Sequence, residues 1–105
     1  MNEIARWTTP TIIYKPSTLE TGDISTAVLC VKQTGKTIIE KDLSSATVNA
    51  ENQTISWKLT QQETGQLADH RECCIGIDWV SNDGTRGRSK VSSYMVVRSG
   101  KDEEM

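Results

Sequence analysis

Phenylalanine is absent from this chain, and aromatic residues make up only 5% of its 105 residues. Apolar residues reach 35%, and 13 threonines and 10 serines fill the gap. Threonine suits the exposed face of a strand, because its branched Cβ favours extended backbone while its hydroxyl stays in water. The composition therefore predicts sheets with one solvent-exposed face and argues against a parallel sheet that is buried on both faces.

Neither a charge excess of one sign nor a long apolar run occurs in the chain. The net charge of -2 argues against a nucleic-acid partner, since such proteins carry a basic stripe. No stretch approaches the roughly 20 apolar residues of a membrane-spanning helix, and the first residues lack the apolar core of a signal peptide. We therefore expect one domain, without nucleic-acid or membrane partners, that stays inside the cell that makes it.

Apolar residues recur at every second position in several short runs, which is the period of a strand with one buried face. The clearest run covers residues 71–80, and residues 24–32 and 53–59 alternate in the same way. Turn-forming residues separate the runs, as at 82–84, where positive φ is tolerated. The pattern predicts an all-β, immunoglobulin-like β-sandwich of about seven strands.

One short helix is predicted near residues 60–67. Thr60 and Glu63 have the spacing of a capping box, in which each side chain accepts a hydrogen bond from the other's backbone N–H. Gly65 is expected to keep this helix short. Around it, the strand pattern predicts an N-terminal arm at 1–8, the sandwich at 9–98 and a flexible acidic tail at 99–105.

The three cysteines are predicted to remain free thiols. Cys73 and Cys74 are adjacent on a strand, so they point to opposite faces and cannot readily bridge each other. A bridge of the immunoglobulin type would join Cys30 to Cys73. The alternation argues against it, because Leu29 and Val31 face inward and leave Cys30 outward.

Metal and catalytic sites find little support in the sequence. His70 is the only histidine, and tetrahedral zinc sites usually combine two spaced pairs of ligands rather than a single His beside two thiols. A catalytic Cys–His pair needs a third group that orients the imidazole, and the presence of Asp69 next to His70 in sequence does not supply that geometry. We therefore expect a protein that is not an enzyme and that holds no metal or cofactor.

The order of strands and turns carries a family resemblance. It rests on residues 20–24 (ETGDI), 31–36 (VKQTGK), 41–48 (KDLSSATV), 55–64 (ISWKLTQQET) and 82–85 (NDGT). This order resembles small immunoglobulin-like modules encoded by tailed phages and prophages of Gram-positive bacteria. Over residues 9–98 it is most similar to the N-terminal domain of baseplate upper proteins.

The resemblance implies a virion structural part that packs against other tail or baseplate proteins and assigns no functional residue. Such a part would be made in the cytoplasm of the bacterial host and then carried in the virion. It could also assemble with copies of itself, as symmetric rings do. Because the chain ends soon after the sandwich, a stand-alone adaptor is expected rather than a receptor-holding arm.

Four residues are predicted to contact a partner. Trp7 lies in a polar segment, where it either caps an open end of the sandwich or anchors an interface. Ile12 belongs to an edge segment at 10–14, and edges there or at 46–48 can pair with a neighbouring strand. Arg86 and Arg88 form a small basic group beside the last turn, although a solvated loop explains them better than a phosphate site does. The alternative function is a carbohydrate- or small-ligand-binding sandwich with Trp7 as its stacking platform.

Overall fold

Two β-sheets pack face to face through the apolar sides of alternating strands. The computed structural model describes residues 2–16, 20–89, 91–103 and 105. The elements within these residues are β1 (Asn2–Ala5), β2 (Thr11–Tyr14), β3 (Ile24–Gln33), β4 (Lys36–Asp42), β5 (Thr47–Asn49), β6 (Thr54–Lys58), α1 (Gln61–Gly65), β7 (Glu72–Ser81), β8 (Arg86–Arg88) and β9 (Ser92–Val97), with 3-10 turns at Thr21–Asp23 and Leu43–Ser45. The predicted all-β sandwich with one short helix is confirmed. It has nine strands in the described residues rather than about seven, because β1 and β8 carry too little alternation to be seen in the sequence.

The larger sheet has the order β1-β9-β7-β3-β4, with β8 also paired to β7, and the smaller sheet has the order β2-β6-β5. Pairing is antiparallel except between β1 and β9, which run parallel. At the centre of the larger sheet, Leu29 lies opposite Ile77 and Val31 lies opposite Ile75. This register places the apolar side chains of β3 and β7 on the same face, which becomes the core.

The core lies between the two sheets. Trp57 on β6 is fully buried, together with Ile55 on the same strand and Leu29 on β3. The indole Nε1 of Trp57 donates a 2.9 Å hydrogen bond to the carbonyl oxygen of Asp42 at the end of β4. The largest buried side chain is therefore packed on all sides and its polar atom is satisfied, as buried indoles require.

The N-terminal segment differs from the predicted arm. Strand β1 belongs to the larger sheet, where Ile4 lies opposite Val96 and both are buried. The prediction of a separate arm at 1–8 was wrong for residues 2–5, because pairing with a strand 92 residues away along the chain leaves no local signal. Met1 lies outside the described residues. The tail predicted at 99–105 contacts the domain, because Asp102 accepts a 2.7 Å hydrogen bond from Arg6. Glu104 of this tail lies outside the described residues.

Helix α1 forms as the capping box predicts. The Thr60 hydroxyl accepts from the Glu63 N–H at 3.1 Å, and the Glu63 carboxylate accepts from the Thr60 N–H at 2.8 Å. Lys41 of β4 lies 3.0 Å from the same carboxylate. Burial raises the pKa of Glu63, but the Thr60 N–H and the Lys41 ammonium outweigh it, so the net pKa is lowered. None of the described helices is long and apolar enough to cross a membrane.

Candidate functional site

The two segments predicted as strand edges are the edges of the smaller sheet. β2 pairs with β6 on one side only, and so does β5, within the part of the chain that the structure describes. β2 is flanked by Pro10 and Pro16, which lack a backbone donor and keep the strand short. The predicted edge positions are therefore confirmed.

The backbone of β2 alternates between its paired and its free side. The N–H of Leu59 donates to the carbonyl of Pro10 at 2.9 Å, which makes that pair hydrogen-bonded. In an antiparallel ladder the hydrogen-bonded pairs recur at every second residue, so Ile12, opposite Trp57, is bonded to β6. The N–H and C=O groups of Thr11 and Ile13 then point away from β6, toward the open edge.

The two isoleucines of β2 point to opposite faces of the smaller sheet. Ile12 is half-buried and packs against the core, whereas Ile13 is 66% exposed. Two adjacent isoleucines in a four-residue strand do not reveal from the sequence which one faces inward, and the structure shows that Ile13 is the outward one. Ile13 presents both an exposed apolar side chain and the outward backbone groups of the edge.

The other long open edge has a different chemical character. β4 pairs only with β3 among the described strands and carries four charged residues, Lys36, Glu40, Lys41 and Asp42. Charged side chains on an edge strand discourage pairing with another chain. β2, with the sequence TIIY, carries none. β5 is also uncharged but has only three residues, so β2 is the longer uncharged edge of the smaller sheet.

Trp7 lies at one end of the sandwich, against the helix. Its ring covers Gly65 so closely that a Cβ on that glycine would fall within 3.0 Å of three ring atoms. The indole is half-buried, and its Nε1 is buried with no hydrogen-bond partner among the described residues. Trp7 therefore caps the end of the domain, with its ring packed over Gly65.

The two arginines lie on β8, on the outer face of the larger sheet. Arg88 makes a 2.7 Å ion pair with Asp78 across the strands, and both side chains are substantially exposed. Arg86 lies opposite Val80 and is exposed. The structure thus separates the four predicted contact residues: Ile12 on the smaller sheet, Trp7 beside α1, and the arginines on the larger sheet.

The same outer face holds a cleft that the sequence did not reveal. It has a volume of about 90 Å³, and two half-buried cysteines, Cys30 of β3 and Cys74 of β7, contribute to its walls. The other lining residues are Lys32, Gly76, Asp78, Arg88 and Val91. The alternation correctly predicted Cys30 outward, and it also sends Cys74 outward. That the two thiols share one cleft depends on the register between β3 and β7.

All three cysteines are free thiols, as predicted. Cys73 is buried in the core, and burial, with a smaller effect of Cys74, raises its pKa to about 11. The pKa of Cys30 is also raised, first by burial and then by the Glu40 and Asp78 carboxylates. No group of three or more His, Cys, Asp or Glu side chains able to hold a metal ion occurs in the described part of the chain.

Comparison with known proteins supports the fold and assigns neither a family nor a function. No protein-family model matches the chain, and no curated protein sequence matches it. Among solved structures, CopC from Methylosinus trichosporium OB3b is similar with a TM-score of 0.59, over 95% of this chain and 86% of that one. The two share 13% sequence identity, so the similarity supports the β-sandwich fold alone.

Proposed function

We propose that this protein is a non-enzymatic interaction module whose β2 edge accepts an extended segment of another protein. The observation that carries the proposal is the open edge of β2, which is uncharged and exposes 66% of Ile13. Strand addition of this kind takes affinity from main-chain hydrogen bonds and specificity from side chains on alternate positions.

The edge contributes interaction energy from main-chain hydrogen bonds and from one apolar side chain. Each hydrogen bond to the outward backbone groups of Thr11 and Ile13 contributes about 0.5–1.5 kcal/mol net. Burying the Ile13 side chain adds about 1.5–3 kcal/mol. Because the flanking prolines limit the added ladder to a few bonds, the apolar contact at Ile13 supplies a large share of the binding energy.

The partner we propose is a tail or baseplate protein of a tailed phage or prophage, assembled with this chain in the bacterial cytoplasm and carried into the virion. The family resemblance of the strand order and turn composition supports this context. The competing occupant of the edge is a second copy of the chain, with β2 paired to β2. Affinity capture and sedimentation distinguish a phage partner from self-association.

The test begins with affinity capture of the tagged protein from its own cells after prophage induction, with mass spectrometry of the co-purifying proteins. Sedimentation of the purified chain measures self-association in parallel. Recovery of tail or baseplate proteins supports the proposal. A monomer that recovers no such protein under these conditions contradicts it.

Two proline variants then locate the contact. Ile13→Pro removes an outward N–H and leaves the β6 ladder intact, so we expect lost binding with little change in the free energy of unfolding. Ile12→Pro removes an N–H that bonds to β6, so we expect it to destabilise the domain.

Ile13→Thr keeps the backbone donor and should weaken binding about 5- to 30-fold, for about 1–2 kcal/mol of lost apolar burial. Unchanged binding by folded Ile13→Pro would remove this edge from consideration.

A further inference from the structure

We propose that the cleft between β3 and β7 binds a soft monovalent metal ion, held by the thiolates of Cys30 and Cys74. Thiolates are the ligands that select such ions, Cu(I) among them. The site lies on the outer face of the larger sheet, away from the β2 edge, and is independent of the function proposed above.

The strand register brings the two thiols to one place. Cys30 lies opposite Gly76, and Cys74 lies opposite Lys32, so the cysteines are diagonal neighbours on the same face. Diagonal neighbours have Cα atoms about 7–8 Å apart and Cβ atoms somewhat closer. Gly76 has no side chain to fill the space beside them, and this leaves the cleft open.

This spacing suits a bridging ion better than a disulfide. A disulfide needs Cβ atoms about 3.5–4.5 Å apart, which is shorter than a diagonal pair provides without backbone movement. An ion between two sulfurs separates them by about 4–5 Å, twice a typical metal–sulfur bond, and the Cβ atoms lie farther apart still. Two ligands are too few for zinc, which takes four in structural sites.

The charges around the cleft match the complex that would form. When a monovalent cation binds, both thiols lose a proton to solvent and two metal–sulfur bonds form, so the complex carries a net charge of minus one. Lys32, Asp78 and Arg88 line the cleft; Arg88 is paired with Asp78 at 2.7 Å, so Lys32 provides the compensating positive charge. The Sγ of Cys74 lies 3.9 Å from the Oγ of Ser93 on β9.

The other use of such a thiol pair is redox sensing, and the reactivity expected of Cys30 argues against it. A redox-sensing cysteine has a lowered pKa, since the thiolate is the reactive form. The pKa of Cys30 is instead raised, by burial and by the Glu40 and Asp78 carboxylates.

The experiment titrates the reduced protein anaerobically with Cu(I) alone, in competition with a chromophoric Cu(I) chelator. We expect one ion per chain. Cys30→Ser and Cys74→Ser should each weaken binding by more than about 100-fold, beyond the loss typical of an outer-shell change. Below the thiol pKa the affinity should rise about 100-fold per pH unit, because two protons are released.

Two further variants separate the cleft from general thiol binding. Cys73→Ala removes the thiol on the opposite face and should leave the affinity unchanged. Gly76→Val keeps all three thiols but fills the cleft; a Cβ at this position meets only Val91, at 3.7 Å, so the fold should tolerate it and binding should be lost. Thermal unfolding of every variant verifies folding.

Three results would overturn the proposal. One is a failure of the wild-type protein to compete with the chelator, and another is full binding by either single serine variant. The third is a stoichiometry of two ions per chain, of which each single serine variant loses one. That result would indicate independent single-thiol sites. None of these outcomes bears on the β2 edge, which is tested by partner capture and sedimentation.

Discussion

Replacing Gly65 with alanine should destabilise this protein, although the same change in an ordinary helix stabilises it. Gly65 is the last residue of α1, and alanine there would gain up to about 1 kcal/mol of helix propensity. The new Cβ, however, would fall within 3.0 Å of three atoms of the Trp7 ring. One of the two must move, and overpacking of this kind costs about 1–3 kcal/mol.

The expected balance is a loss of about 1–2 kcal/mol, which lowers Tm by about 4–8 °C per kcal/mol in a domain of this size. A double-mutant cycle isolates the contact. In a Trp7→Ala background the clash is gone, so Gly65→Ala should become neutral or stabilising. The coupling energy between the two positions should then be about 1–3 kcal/mol, within the range of residues in contact.

Urea unfolding followed by far-UV circular dichroism measures all four proteins without depending on tryptophan fluorescence, which Trp7→Ala changes. The free energy of unfolding of each variant is compared at a constant m-value. If Gly65→Ala alone stabilises the protein, or if the two changes are additive, Trp7 does not cap the helix end. The ring would then be free to serve as an exposed platform after all.

Two other changes test the packing and the electrostatics. Gly87→Ala should destabilise the domain by about 1–3 kcal/mol, because its Cβ would overlap the Trp79 ring, while Gly22→Ala, with no atom within 4 Å, should have little effect in the same thermal unfolding assay. Glu63 has its pKa lowered from its ordinary value of 4.5, so its stabilising contribution is present above that pH and is lost as the pH falls through the folded-state pKa. Glu63→Gln should therefore lose less stability than the wild type between pH 6 and pH 3 in urea titrations; an identical acid dependence would contradict this.

Features that depend on residues close in sequence could be predicted from the sequence. The alternation around Leu29 and Val31 placed Cys30 on the outer face, because successive strand residues point to opposite sides. The capping box at Thr60 and Glu63 was equally local, since its two hydrogen bonds join residues three apart. These rules fixed the fold class and the orientation of the cysteines.

Features that depend on strand pairing could not be read in the same way. Whether Ile12 or Ile13 faces the core is decided by the register between β2 and β6, because both residues have the same chemistry. The shared cleft of Cys30 and Cys74 depends on the register between β3 and β7, which the sequence does not specify. Each local rule was sound, and the missing information was how distant segments align.

The two proposed surfaces differ in how firmly the fold holds them. β2 is attached through four paired residues of β6 and lies at a sheet edge, where local opening costs little compared with global unfolding. β3 and β7 pair at eight positions in the centre of the larger sheet, over a fully buried Leu29. A docking edge tolerates small adjustments, because an added strand can follow them. A two-ligand metal site does not, since both sulfurs must stay within bonding distance of one ion. The proposed metal site, which requires fixed geometry, therefore lies on the more firmly paired strands, and the proposed docking contact, which does not, lies on the looser edge.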